Sequence, residues 1–324
     1  MSFVGIAGTG RSLPENVVTN FDLSNIVDTN DEWISTRTGI KERRISKENN
    51  TSYYSFKAAE EAIKKAKISA LDIDIIIVAT STPDRTIPST ACIVQDFLGA
   101  KNAQAFDISA ACTGFIYALN IGWKLLLQGD EKVALIIGAD VLSKIVNWED
   151  RSTCVLFGDG AGAAIIKKQD KKGIYNTYIK SDGSMGRSCL TSSIFEMNSP
   201  FSNVKDDSKN IISMDGKEVF KFAINIIPQA IEEALDKSKI NIDEIKYIVP
   251  HQANFRIISS AAKKLKLDVN KFYMNLDKYG NTSAASIPIA LDEMIEKKLI
   301  SSGDKIILVG FGGGLTWGAV ILEI

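Results

Sequence analysis

This 324-residue chain has a single histidine, four cysteines and no long apolar run, and each shortage removes a class of function. With one imidazole, at His251, histidine chemistry has only one possible place. Cys92, Cys112, Cys154 and Cys189 are sparse and lack the spacing of metal ligands, so a reduced, cytosolic protein is the simplest reading. No apolar stretch approaches the roughly 18 residues needed to span a bilayer. The opening Met1–Gly8 lacks a basic region and reads as a first strand, not a signal peptide. Charge of one sign is missing as well. Against 38 Lys and Arg stand 39 Asp and Glu, a formal net charge of −1. That argues against a nucleic-acid binder held by bulk electrostatics and leaves room for a local basic patch. The glycine-rich segments Gly8-Thr9-Gly10 and Gly158-Asp159-Gly160-Ala161-Gly162 both depart from the dinucleotide fingerprint. What remains is an ordinary globular composition, 45% hydrophobic and 24% charged, long enough for a two-part globule with a full core.

The order of motifs repeats. An amphipathic helix over 58–68 leads through Asp72 into the apolar strand 75–79, and a second over 230–240 leads through Asp243 into 245–249. Cys112-Thr113-Gly114 opens an apolar helix over 115–127, followed by Gly129-Asp130 and a strand at 133–138. Asn281-Thr282-Ser283 opens a helix over 284–298, followed by Gly303-Asp304 and a strand at 306–310. Each half closes on glycines and a further strand. The pattern predicts an internally duplicated α/β protein with halves 1–170 and 171–324, built on largely parallel sheets covered on both faces. Cys112 and Asn281, 169 residues apart, then start equivalent helices and converge near a pseudo-twofold axis. The polar stretch from about Asp170 to Asp215 reads as a connector or surface excursion.

Three side chains stand out as candidates for chemistry. Cys112 precedes a helix, where free N–H groups and the positive field end favour thiolate and lower a cysteine's pKa. The alternative is a small buried hydrophobe. His251 follows a buried strand and precedes a helix over 254–265, at the strand end where α/β proteins hold ligands. A structural histidine is the plainer reading. Asn281 is either a helix cap or an amide needed for chemistry. Gly312 to Gly314 can present main-chain N–H groups to an oxyanion. Arg256 and Lys263, seven apart on one predicted helix, share a face that is either simply solvated or a dock for an acidic partner. Cys92 and Cys154 fall in helical and apolar patterns and read as core.

Taken together, the motifs resemble beta-ketoacyl-acyl carrier protein synthase III, a condensing enzyme of the thiolase superfamily. The markers are Asp28-Thr29-Asn30-Asp31-Glu32-Trp33-Ile34 with Arg37-Thr38-Gly39-Ile40, Ala111-Cys112-Thr113-Gly114-Phe115, Pro250-His251-Gln252-Ala253-Asn254, Gly280-Asn281-Thr282-Ser283-Ala284-Ala285-Ser286, and Phe311-Gly312-Gly313-Gly314-Leu315-Thr316-Trp317-Gly318. The resemblance covers nearly the whole chain. It implies a five-layered αβαβα fold, a homodimer, and no cofactor beyond acyl-CoA as substrate.

The resemblance also implies roles. Cys112 carries the acyl group. His251 and Asn281 donate hydrogen bonds to the thioester oxygen of malonyl-acyl carrier protein, and Phe220 lies beside the departing carboxylate. The main-chain N–H groups of Cys112 and Gly313 hold the acyl oxyanion. Trp33 and Arg151 sandwich the adenine of coenzyme A, Arg37 lies near its phosphates and Asn254 near its pantetheine arm. Lys221, Arg256, Lys263 and Lys264 receive the carrier protein. One position departs from the pattern. Ile87 stands before Pro88-Ser89 where the family usually has Phe at the end of the partner's acyl pocket, which points to primers beyond acetyl, branched or slightly longer. Other classes share parts of the pattern. A cysteine peptidase or amidase uses Cys, His and Asn in the same order, and the glycine loops fit a non-catalytic nucleotide-binding module. A condensing enzyme of secondary metabolism with another acyl acceptor keeps the fold.

Overall fold

In a computed structural model, residues 3–184, 186–192 and 211–324 are described. Nine strands make the two main sheets: β1 (Phe3–Ser12), β2 (Ile75–Ala79), β3 (Gln104–Ile108), β4 (Val133–Val141), β5 (Asp159–Gln169), β6 (Ile174–Ser181), β7 (Ile245–Pro250), β8 (Lys305–Gly312) and β9 (Thr316–Glu323). The first sheet runs β1-β5-β4-β2-β3 and the second β7-β8-β9-β6. Seven helices matter for the argument: α1 (Asp31–Thr38), α2 (Thr51–Ala66), α3 (Thr90–Leu98), α4 (Gly114–Gln128), α5 (Gly216–Ser238), α6 (Phe255–Lys264) and α7 (Ser286–Glu296). Helices α2 and α3 cover the outer face of the first sheet, α4 and α7 fill the space between the sheets, and α5 and α6 cover the second.

The strand sequences explain the layering. A strand alternates its side chains between two faces, so one covered on both sides must be apolar throughout. In β2, Ile75 and Ile77 join the core between the sheets, while Ile76 and Val78 join the core under α2 and α3. In β8, Ile306 and Leu308 face inward with Phe115, Leu119, Ile287 and Leu291, and Ile307 and Val309 pack under α5. The middle core thus draws on both ends of the chain.

Two expectations need correction. The sheets are mixed. Pairs β2/β3, β2/β4 and β7/β8 are parallel, whereas β1/β5, β4/β5, β8/β9 and β6/β9 are antiparallel. Parallel pairing needs a helical crossover, but the three-residue 3₁₀ turn Gly313–Leu315 is all that separates β8 from β9. The stretch read as a connector contains β6, an edge strand of the second sheet, while its residues 193–210 lie outside the described residues.

The internal repeat is closer than the sequence motifs showed. The 3₁₀ turns Ala111–Thr113 and Ser283–Ala285 stand 172 residues apart, as do the starts of α4 and α7 and of β4 and β8. Even the left-handed residues recur at this offset, Lys67 with Lys239 and Ala111 with Ser283. Cys112 therefore corresponds to Ala284, not to Asn281. The 169-residue spacing paired residues three positions out of register.

Candidate active site

The loops after β2, β3, β4 and β8 meet around a cavity of about 610 Å³. Its lining includes Cys112, Phe157, Leu190, Ser283 and Gly313. Cys112 sits on the short turn between β3 and α4, directly after Ala111, whose φ is +46°. A side chain in that left-handed region costs of order 1–3 kcal/mol. Ser283 at +50° and Leu315 at +48° repeat the strain on the turns nearby. Side chains lock these turns together. Thr113 Oγ1 donates to the Thr316 carbonyl at 3.0 Å, and Thr316 Oγ1 is 3.1 Å from the Ala110 carbonyl. Gly312 comes so close that a Cβ there would stand 2.8 Å from the Cys112 nitrogen. Within the described residues, neither Cys112 N–H nor Gly313 N–H donates in a turn or loop hydrogen bond.

The thiol departs from expectation. Burial pushes the Cys112 pKa up to about 12, with the nearby Asp140 carboxylate adding to the rise and a Ser283 hydrogen bond opposing it. The favourable field at the start of α4 does not offset the loss of water. Cys112 rests as a neutral thiol. Asp140 ties this region together from the end of β4. It accepts from Ser81 N at 2.7 Å, from the hydroxyls of Thr80 and Thr82 at 3.1 and 3.0 Å, and from Ala284 N at 3.2 Å.

His251 follows β7, and its main-chain N–H donates to the Val309 carbonyl of β8 at 2.8 Å. The imidazole is 1% exposed and packs edge-on against Phe311, with ring centroids 5.2 Å apart. Burial lowers its pKa to about 3, so it is neutral at physiological pH. Asn281 lies beside Phe157, a pocket wall, through a parallel bridge. Its Oδ1 accepts from Ser283 N–H at 2.9 Å. The amide therefore caps its own turn with its oxygen and keeps Nδ2 for another acceptor. Cys112 lines the cavity, whereas the neutral imidazole of His251 lies against Phe311 and the free amide donor of Asn281 beside the lining residue Phe157, neither in the cavity lining itself. Phe220, in the first turns of α5, packs half-buried against the core that contains Phe311 and Phe157.

A second cluster lies at α1. Asn30 caps this helix by accepting from Trp33 N–H at 2.8 Å, Asp31 and Glu32 occupy its first turn, and Gly39 at φ +85° ends it. The guanidinium carbons of Arg37 and Arg151 lie 4.8 and 5.2 Å from the Trp33 ring centre. A flat base stacked between Trp33 and Arg151 needs roughly 7 Å, two van der Waals contacts, so Arg151 has to swing outward to admit one. Asn254 Nδ2 donates to the Arg37 carbonyl at 3.1 Å and Arg256 Nε to the Thr36 carbonyl at 3.1 Å, which joins α6 to α1. Lys221 pairs with Glu218 at 2.7 Å, Lys264 donates to Asn225 on α5, and Lys263 has no ion pair among the described residues. Lys221, Arg256, Lys263 and Lys264 are all exposed. Ile87 is 85% exposed and does not line the cavity of its own chain. Cys92 is half-buried on α3 and Cys154 buried. Gly8 and Gly10 lie inside β1, and Gly160 and Gly162 inside β5.

Residues 106–183 match the family described as 3-oxoacyl-(acyl carrier protein) synthase III, and residues 235–324 match that family's C-terminal region. The chain is 55% identical over 320 residues to beta-ketoacyl-(acyl carrier protein) synthase III of Clostridium novyi, covering 99% of this chain and 98% of that one. The chain belongs to the synthase III family. A synthase III from Clostridium botulinum is 56% identical over 322 residues, covering 99% of each chain. The crystal structure of the Aquifex aeolicus synthase III superposes with a TM-score of 0.93 at 49% identity, covering 99% of this chain and 100% of that one. The thiolase-like αβαβα architecture is thus shared with solved synthase III enzymes.

Two groups placed by the structure went unassigned in the sequence. Asp140 ends an apolar strand and looks like a loop residue there. Ser286 was visible within the Asn281 motif, but only the fold brings it to His251.

Proposed function

We propose that this protein performs the decarboxylative condensation that initiates fatty acid synthesis, joining a short acyl group from acyl-CoA to malonyl-acyl carrier protein. In the first step the Cys112 sulfur attacks the acyl thioester, the carbon–sulfur bond to coenzyme A breaks, and the thiol proton leaves with coenzyme A. The N–H groups of Cys112 and Gly313 hold the oxyanion. In the second step the malonyl carboxylate departs as carbon dioxide, and its electron pair forms an enolate whose oxygen accepts from His251 and Asn281. The apolar ring of Phe220 favours loss of charge there. The enolate carbon attacks the acyl-Cys112 carbonyl, the carbon–sulfur bond breaks, and the freed thiolate takes up one proton. Fixed donors at a developing oxyanion are worth about 3 kcal/mol each.

The observation that carries this reading is the Cys112 turn. A buried thiol on a strained turn, lining a cavity and beside main-chain N–H groups free of turn or loop hydrogen bonds, suits thioester exchange. Trp33, Arg37, Arg151 and Asn254 form the reading's coenzyme A mouth, with Lys221, Arg256, Lys263 and Lys264 as the carrier-protein dock. A cytoplasmic homodimer completes it, with two halves, 1–170 and 171–324, in each chain and no cofactor. Among the described residues strand β3 has a neighbour on one side only and Ile87 is exposed, which supports a dimer in which Ile87 enters the partner's pocket. Among the described residues no helix is long and apolar enough to cross a membrane.

The test is an acyl-CoA panel with malonyl-acyl carrier protein as acceptor, read by product mass. Wild type gains the acyl mass on Cys112 and then forms the β-ketoacyl product. Cys112→Ala loses acylation and condensation but still decarboxylates malonyl-carrier protein. Full condensation by Cys112→Ala overturns the assignment.

A further inference from the structure

We infer that Ser286 fixes the tautomer of His251, placing the ring proton on Nε2. The inference deepens the proposed function, since it supplies the form of His251 that can donate to a thioester oxygen.

The geometry allows only two arrangements. His251 Nδ1 and Ser286 Oγ are 2.7 Å apart, and both residues are buried. A neutral imidazole has one donor nitrogen and one acceptor nitrogen. If Nδ1 carried the proton, it would donate to Ser286 Oγ, and the serine's own O–H would need another acceptor. None is found among the described residues, so a buried donor would go unpaired.

The other arrangement satisfies every group. Gln252 N–H, which can only donate, points at Ser286 Oγ at 3.4 Å. The hydroxyl accepts from it and passes its own proton to Nδ1. Gln252 is held in place for this, because its side chain donates to the Pro250 and Tyr273 carbonyls and accepts from Asn275 N–H. Nε2 then carries the hydrogen and has no acceptor among the described residues. The T-shaped contact with Phe311 hinders the imidazole from turning. Protonation of both nitrogens is disfavoured by burial. Ser286 is therefore a positioning residue, acting through His251.

The single histidine makes the test direct. Protein labelled with ¹⁵N-histidine gives one pair of ring-nitrogen signals with nothing to assign. At pH 7.5 wild type should show a protonated Nε2 and a hydrogen-bonded, unprotonated Nδ1. In Ser286→Ala the Nδ1 signal should move toward that of a free imidazole nitrogen. Decarboxylation of malonyl-carrier protein should fall about tenfold, the effect of one lost hydrogen bond. A protonated Nδ1 in wild type overturns the inference, and that spectrum needs no variant to fold. Ring signals unchanged by Ser286→Ala overturn it as well. If the tautomer is as stated and shifts in the variant while decarboxylation is unaffected, the Ser286 assignment stands and the donor role of His251 fails.

Discussion

Replacing Gly312 by alanine probes the active-site turn while leaving every candidate reacting side chain in the sequence. Gly312 ends β8 at φ −169° and ψ −176°, an extended conformation open to any residue, so the penalty is steric alone. The added methyl would lie 2.8 Å from Cys112 N, 3.1 Å from Thr113 N and 3.2 Å from Cys112 Cβ. Ordinary contact for a Cβ starts near 3.4 Å, which leaves a deficit of about 0.6 Å at the closest atom. That atom is main chain and cannot rotate aside. Its neighbours are tied down, Thr113 N–H to the Ala110 carbonyl at 3.1 Å and the Thr113 hydroxyl to the Thr316 carbonyl. The turn itself must shift, and the sulfur moves with it. Misplacement by 1 Å can cost about 100-fold in rate, so a shift of roughly half that predicts about a tenfold slower acylation. Overpacking adds about 1–3 kcal/mol of destabilisation. The assay is single-turnover acylation by acetyl-CoA followed by intact mass, with a thermal melt alongside. Malonyl decarboxylation, which does not need the thiol, should stay within about twofold of wild type. Acylation at the wild-type rate by a folded Gly312→Ala protein would refute the close approach of β8 to the nucleophile.

Alkylation of Cys112 by iodoacetamide, followed by peptide mass, should accelerate with pH beyond 9 without levelling off, because the thiol titrates near 12; a plateau near pH 7 would disprove a protonated resting thiol. The same shift links to folding. The Cys112 pKa is raised on folding, so its contribution is present below about pH 9 and lost as pH climbs toward 12. The pKa of His251 is lowered, so its contribution is present above about pH 6.5 and lost as pH falls toward 3, each at up to about 1.4 kcal/mol per pH unit. Decarboxylation by Cys112→Ala should accordingly be free of any inflection near pH 6.5. Lys263→Glu should raise KM for the carrier protein several-fold, most at low salt, and leave acylation by acyl-CoA unchanged. Arg256→Glu should do the same less cleanly, since Arg256 also bonds the Thr36 carbonyl. Unchanged carrier-protein kinetics at low salt would exclude this face. Ile87→Phe should shift preference toward acetyl-CoA by about fourfold per methylene excluded, and an unaltered ranking of primers would remove Ile87 from the pocket.

The helices and inner strands were legible because their periodicity is set by burial. The strand at 75–79 is apolar on both faces, and its bounds match the structure. Edge elements were not. Strand β6 carries Lys180 and several half-buried positions, so its pattern resembles a polar connector. The first half of α5 was missed because only its last turns show a run of Glu, Ala and Leu. Sheet direction was misjudged because sequence reveals crossovers more readily than hairpins. Within the site, chain-local features such as the Cys112 turn stood out in the sequence. The thiol's protonation did not, because it depends on a cavity assembled from four loops. Ser286 had the right residue type in a conspicuous motif, but its partner lies 35 positions away.

The equivalence of Cys112 and Ala284 has a consequence for stoichiometry. A chain made of two matching units starts with two matching crevices, yet only one of these turns bears sulfur. The other is closed: Ala284 is 1% exposed, its N–H is taken by Asp140, and Gly138 lies so near its carbonyl that a Cβ there would come within 2.2 Å. The units have therefore specialised in opposite directions. In the proposed mechanism one keeps the atom that attacks, and the other supplies the imidazole and amide that donate to the developing oxyanion. On that reading each polypeptide carries a single acyl group, and neither unit holds a complete set of tools without the other.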